Sequence, residues 1–209
     1  MLETGSLAFV AFLVTIDPIG LVPIFLALTG GETTAGRRRI ALKGSLLGGA
    51  ILLAFALLGE PGLRTLGIGL PAFRIAGGIT LLLLAVEMVF EHRAQRRSST
   101  AEQLAGEHDD AGGVAVFPLA MPLVAGPAAI TTVILQVSRQ GGDVAGLAAV
   151  LLALAASLVV VAASLVAASY LGRLLGPTLV TMLSRLLGLL LAALSVQFVI
   201  DGVKEAFGL

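Results

Sequence analysis

Six long apolar runs, at 6–28, 40–58, 71–90, 114–137, 144–171 and 179–200, dominate this 209-residue sequence. A helix crossing a hydrocarbon core of about 30 Å needs roughly 20 such residues, so each run is long enough to span a bilayer. Lipid offers no water to backbone N–H and C=O groups, which leaves helices and closed barrels as the only spanning folds. Barrel strands would be about ten residues long and would alternate apolar with polar side chains. No run here alternates in that way, and the sequence predicts an all-α membrane protein of about six transmembrane helices. The first run reads as a span rather than a cleaved leader: it lacks a basic start, carries Glu3, and holds Asp17, Pro18 and Pro23 within its apolar stretch.

Charge then narrows the function classes. Only 12% of residues are charged, about half the share usual in soluble domains. The 13 basic residues balance 13 acidic ones, so the electrostatic footprint of a nucleic-acid binder is missing. Cysteine is absent, which excludes disulfides, thiolate catalysis and cysteine-ligated metal. The placement of the basic residues is informative where their total is not. Arg37, Arg38, Arg39, Lys43, Arg93, Arg96, Arg97 and Arg173 fall on one side of the membrane, against Arg64, Arg139 and Lys204 on the other. Basic residues near span ends favour the cytoplasm, so both termini are expected outside, in a multi-pass protein of the inner (plasma) membrane. The polar stretch 91–113 becomes a cytoplasmic linker between two halves, 1–90 and 114–209. It contains both histidines, His92 and His108, beside Glu107, Asp109 and Asp110. It reads as solvated linker rather than as a metal site.

The two halves repeat one another. The first run contains Pro18-Ile19-Gly20-Leu21-Val22-Pro23 and the fourth Pro122-Leu123-Val124-Ala125-Gly126-Pro127, each followed by threonine, Thr29 in one and Thr131 with Thr132 in the other. Arg74-x-x-Gly77 in the third run likewise corresponds to Arg185-x-x-Gly188 in the sixth. The offsets are 104 and 111 positions. Three spans per half means that the second half enters the membrane from the opposite face, giving a 3+3 inverted-topology repeat. Paired prolines remove two backbone donors, and a glycine between them lets the chain leave helical geometry. The first and fourth helices are therefore expected to be broken, the first at about 18 Å along its length and so near mid-membrane.

Broken helices expose backbone groups that suit a zwitterion. Gly126-Pro127 reads as an N-cap followed by proline at the first helical position, leaving the amides of Ala128, Ala129 and Ile130 directed into the break. Such an N-terminus carries partial positive charge and attracts a carboxylate. In the first helix either Asp17-Pro18 or Val22-Pro23 can start the second half-helix; the repeat favours Pro23, whereas Asp17 is the better capping residue. Asp17 and freed carbonyls would receive an ammonium group. A carboxylate near mid-membrane is a functional candidate by default, and Asp17 is also the candidate proton or Na⁺ site. The candidate binding residues are Asp17, Pro18, Gly20, Pro23, Pro122, Ala125, Gly126, Pro127, Ala128, Ala129, Thr131 and Thr132. Arg74 with Asp201 near the outer side, and Arg185 with Glu87 near the inner side, are candidate gate or coupling charges; snorkelling to the interface is the simpler role for either arginine.

The strings Asp17-Pro-Ile-Gly-Leu-Val-Pro23, Phe73-Arg-Ile-Ala-Gly-Gly78, Pro118-Leu-Ala-Met-Pro-Leu-Val-Ala-Gly-Pro127 and Gln197-Phe-Val-Ile-Asp-Gly202 resemble the MarC family of bacterial and archaeal membrane proteins. The resemblance covers the chain apart from the linker. It implies a six-helix inner-membrane protein associated with the SnatA-type transporters of small neutral amino acids such as glycine and alanine, with broken helices at 17–23 and 122–127. The sequence has no G-x4-G-K-[S/T] motif, which argues against ATP hydrolysis within the chain. It also has no H-E-x-x-H or G-x-S-x-G, which argues against an intramembrane enzyme. The expected function is secondary transport of a small zwitterion without a cofactor, coupled to H⁺ or Na⁺. A non-transporting structural or regulatory membrane protein, or an exporter of another small metabolite, is the alternative.

Overall fold

The computed structural model describes residues 2–90, 111–171 and 177–208. The first apolar run forms α1 (Leu2–Ile16) and α2 (Pro18–Leu28), with Asp17 alone between them. Next come α3 (Thr34–Thr65) and α4 (Leu70–Val89). The second half opens with the single turn α5 (Ala111–Val114), widens through Ala115–Val124, and continues as α6 (Pro127–Ser138), α7 (Val144–Leu171) and α8 (Pro177–Phe207). Taking α1 with α2 as one helical span, five spans are long and apolar enough to cross a bilayer; a sixth is formed by Ala115–Val124 and Pro127–Ser138 together, bent by 55°. The expected six spans and the breaks in the first and fourth are thus present. Two helices exceed their apolar runs: α3 has 32 residues and α8 has 31. At about 1.5 Å per residue each is longer than a hydrocarbon core, so their charged ends reach the headgroups. The linker histidines, Arg93, Arg96, Arg97 and Arg173 lie outside the described residues.

Local signals fix the helix ends. Thr33 caps α3, its Oγ1 accepting from the Gly36 amide at 3.1 Å. Gly67, at φ 72°, closes the same helix: its amide donates to Arg64 O at 3.0 Å, and Ile68 donates to Leu63 O at 2.9 Å. This pair of reversed bonds needs a left-handed residue, hence glycine. Asp143 caps α7 by accepting from Ala145 and Gly146 at 3.1 and 2.9 Å. Arg37 reaches back to the open end of α2, donating to Thr29 O and Gly30 O at 3.0 and 3.2 Å. One of the eight basic residues that set the charge asymmetry therefore also terminates a helix.

Glycines set the helix pairing. Gly44, Gly48 and Gly59 of α3 lie against Leu119, Val124 and Ile134, so α3 runs parallel to the fourth span. Gly5 meets Ala149, and Ser157 Oγ donates to Phe9 O at 3.4 Å, so α1 runs parallel to α7. Helices α4 and α8 are antiparallel: Gly78 meets Val199, Gly188 meets Met88, and Gly202 meets Ile75. The start of α1, the 65–70 and 138–144 turns and the end of α8 consequently share one face. The 28–34 turn, the end of α4 and α5 share the other. The first and fourth spans run in opposite directions, and the neighbours of each span map onto one another when the halves are exchanged: first on fifth, fourth on second, third on sixth.

The two broken spans are also the enclosed ones. Of the first span's most apolar stretch 61% is buried, against 28–39% for the other long helices. Leu119, Leu123, Val124 and Ala125 in the fourth span are buried as well. Leu46, Leu83, Leu152 and Leu189 on the flanking helices face outward. Irregular backbone is tolerated at membrane depth only inside protein, and this arrangement supplies that shelter. At Gly48 a Cβ would lie 2.6 Å from Val124 Cγ1 and 3.3 Å from Ala120 O. Gly48→Leu is therefore expected to cost about 1–3 kcal/mol through overpacking, read as a lowered melting temperature in detergent. Gly62→Ala, with nothing within 4 Å of the added carbon, replaces a helical glycine without a clash and is expected to raise it slightly.

Candidate functional site

The first break is a single residue. Asp17 sits at φ 58°, ψ 68°, the left-handed region, and is 3% exposed. The backbone ladder passes across it, with Asp17 N donating to Leu13 O and Leu21 N donating to Asp17 O, both at 3.0 Å. Its carboxylate caps α2: Oδ1 accepts from the Gly20 amide at 3.0 Å. The sequence permits a start at either Asp17-Pro18 or Val22-Pro23 and predicts unwound chain between the prolines. The structure starts the half-helix at Pro18 and keeps 18–28 helical, with Pro23 inside the helix. Proline at the first helical position forfeits no bond, and Pro23 forfeits only one. Gly20 makes room for the cap, since a Cβ there would lie 2.3 Å from Asp17 Oδ2.

The second break is wider. Pro118 and Pro122 follow cis peptide bonds, and Phe117 and Met121 adopt extended angles, φ −140° and −135°, within Ala115–Val124. Ala125 N donates to Ala120 O at 2.9 Å across a widened turn. Gly126 is extended at φ −81°, ψ 168°, and Pro127 opens α6, as the Gly126-Pro127 pair predicts. Gly126, as the cap residue, has no side chain to bond this N-terminus. Of the three amides expected to face the break, that of Ile130 is already used, donating to Gly126 O at 3.0 Å, which leaves Ala128 and Ala129. Gly126 owes its identity to space rather than to φ, because a Cβ would lie 2.6 Å from Pro122 O.

A cavity of about 560 Å³ adjoins the second break. Pro127, Ile130, Thr131 and Ile134 form one wall; Phe55, Leu58 and Leu63 of α3 form another, with Phe73 at the start of α4. Of the candidate residues it touches Pro127 and Thr131. Thr132 Oγ1 donates instead to Ala128 O at 2.8 Å, and Thr29 Oγ1 to Phe25 O at 2.7 Å, so both serve their own helices. Ala125, Ala129, Ile16 and Leu21 belong to one continuous apolar core, which places both breaks in the same packed interior. Pro18 and Gly126 are buried and Pro122 partly so.

The charges at the start of α4 and the end of α8 pair differently from the sequence expectation. Arg74 bonds Glu205, and its Nη2 also donates to Ser138 O at 3.4 Å. Asp201 bonds Arg139, whose guanidinium stacks 4.2 Å from the centre of the Phe198 ring, and accepts from Gln197 Nε2 at 2.7 Å. Two carboxylates of α8 thus tie the start of α4 and the end of α6 to the last helix. Arg139 was legible only as a loop cation, and Glu205 lay beyond the apolar run; their spacing of one helical turn, Asp201 to Glu205, was the available signal. At the other end of the α4–α8 pair, Arg185 and Glu87 flank the contact of Gly188 with Met88.

Residues 3–207 match the family described as MarC family integral membrane protein. Among curated proteins, the chain is 36% identical to a UPF0056 membrane protein of Methanocaldococcus jannaschii, over 98% of both chains. It is also 36% identical to one of Aquifex aeolicus, and 31% identical to the UPF0056 membrane protein YhcE of Escherichia coli, over 95% of this chain and 91% of each relative. No solved structure matches it.

Proposed function

The chain belongs to the MarC family of integral membrane proteins, and from that premise we propose that it is a secondary transporter of small neutral amino acids, glycine- or alanine-like, working by alternating access. The observation that carries the reading is the break in the first span of each half, both within the packed interior, each opening a half-helix with Pro at its first position. In such folds substrate sits at the repeat interface, with half-helix N-termini toward anionic groups. The Ala128 and Ala129 amides then take the substrate carboxylate, and Asp17 takes the ammonium or the coupling H⁺ or Na⁺. Pro18, Gly20, Pro23, Pro122, Ala125 and Gly126 shape the breaks, while Pro127 and Thr131 line the approach.

The exchange of neighbours between halves supports an inverted-topology repeat. The halves also differ in conformation: the first breaks before Pro18 and the second before Pro127, although Pro18 corresponds to Pro122 in sequence. Two conformations of one motif are what alternating access requires, since each half takes the other's shape in the opposite state. The outer pairs Arg74–Glu205 and Arg139–Asp201, with Arg185 and Glu87 at the inner end, are the gate charges in this scheme. The protein is placed in the inner membrane with both termini outside, on the charge asymmetry of its loops, and is no enzyme. The test is equilibrium binding of radiolabelled glycine and alanine to the purified protein in nanodiscs. Saturable binding of either, competed by the other but not by glutamate or lysine, is expected; no saturable binding of any small neutral amino acid defeats the proposal.

A further inference from the structure

A second concavity, of about 910 Å³, lies at the start of α3. Its wall carries Arg38, Arg39 and Lys43, with Leu42, Leu46 and, from the end of α7, Tyr170. Positions 35, 38, 39, 42, 43 and 46 form one helical stripe by their three- and four-residue spacing. The three cations are exposed, and none joins a salt bridge among the described residues. Arg37, their neighbour, is spent on the α2 carbonyls, so the stripe has no such helix-closing duty. Leu42 and Leu46 are 47% and 75% exposed, and they continue the stripe down the outward-facing side of α3 toward Leu53 and Leu57. Tyr170, 64% exposed, stands where aromatic residues collect at the membrane interface.

We propose that this groove binds the headgroup of an anionic phospholipid, its phosphate held by Arg38, Arg39 and Lys43 and its acyl chain laid along Leu42 and Leu46. A free phosphate ion would use the cations alone; the leucines continuous with the bilayer-facing surface commit the site to a lipid. Guanidinium groups suit phosphate oxygens through paired N–H donors, and the ammonium of Lys43 adds a mobile point charge. Each basic side chain near an anionic leaflet adds to retention. Tyr170 contributes a ring beside the headgroup and a hydroxyl able to donate to it.

The chain holds one tyrosine and no tryptophan, so intrinsic fluorescence reports this groove directly. The protein is reconstituted in phosphatidylcholine vesicles containing graded amounts of chain-brominated phosphatidylglycerol or, in parallel, chain-brominated phosphatidylcholine. Half-maximal quenching of Tyr170 is expected at a mole fraction at least about fivefold lower for the anionic lipid, the effect of a single basic side chain at such a surface. The variant Arg38→Gln/Arg39→Gln/Lys43→Gln is expected to lose that difference, whereas Arg64→Gln at the opposite face keeps it. Millimolar inorganic phosphate is expected to leave quenching unchanged. Equal quenching by the two lipids, a preference that survives the triple substitution, or displacement by inorganic phosphate overturns the proposal. Retained helical circular dichroism in the triple variant separates loss of the site from loss of the fold.

Discussion

Asp17→Asn is expected to leave the protein folded and to reduce amino-acid uptake by ten- to a hundredfold. Asparagine caps helices about as well as aspartate and is among the residues that tolerate the left-handed region. The bond to the Gly20 amide at 3.0 Å and the φ of 58° are therefore both retained. What the substitution removes is the charge. A hydrogen bond to a charged group is worth about 1.5–3 kcal/mol, and each 1.4 kcal/mol is about tenfold in an equilibrium constant, which sets the expected range. Asp17→Ala loses the cap at about 1 kcal/mol and places alanine in a left-handed conformation at about 1–2 kcal/mol, so it should lower stability as well as uptake. Gly20→Ala pushes a methyl to within 2.3 Å of Asp17 Oδ2 and should displace the same cap. Its stability loss is expected to be far less than additive with that of Asp17→Ala, because both act on one interaction. If Asp17→Asn transports normally while Asp17→Ala is merely unstable, Asp17 is a cap and nothing more.

The second large effect is expected at Gly126. Its backbone angles suit any residue, so a substitution there introduces no conformational strain, only volume. That volume falls 2.6 Å from Pro122 O, a backbone atom in the narrow part of the break. Gly126→Val should force Pro122 away from the start of α6, moving the Ala128 and Ala129 amides out of register with any bound carboxylate. Loss of saturable glycine and alanine binding is expected, at a stability cost of about 1–3 kcal/mol typical of overpacking. Thr132→Val makes a useful contrast, because its hydroxyl serves its own helix; binding should persist. Equal affinity in Gly126→Val and the parent would separate the break from the binding site.

How much of this was legible beforehand differs between spans and breaks. The long apolar runs located every span, because lipid leaves the backbone so few alternatives. Their ends were less legible: α3 and α8 run on through Arg37, Arg38, Arg39 and Asp201 to Lys204, since a charged side chain that can reach the headgroups does not end a helix. Gly126-Pro127 was readable as a helix start because cap and first position were adjacent. The first break was not decided, since Pro18 and Pro23 both permit a start, and the choice falls on a local contact, the Asp17 carboxylate bonded to the amide of Gly20 three residues on, where only glycine leaves it room. The ion pairs on α8 escaped for a different reason, because they join residues far apart in sequence. Arg74 and Arg139 each had Asp201 and Glu205 within reach on the sequence, and only the packing of α4 against α8, with Arg139 just past α6 reaching the same helix, assigns the partners.

The central claim is that the two breaks belong to a machine that moves a small zwitterion. Its most direct measurement is uptake of radiolabelled glycine and alanine into proteoliposomes, with imposed proton or sodium gradients and without them. Accumulation above the equilibrium level under one of the two gradients, reduced about ten- to a hundredfold in Asp17→Asn and lost in Gly126→Val, is the predicted result. Uptake no greater than in protein-free vesicles under every gradient, by protein that remains folded, would contradict it.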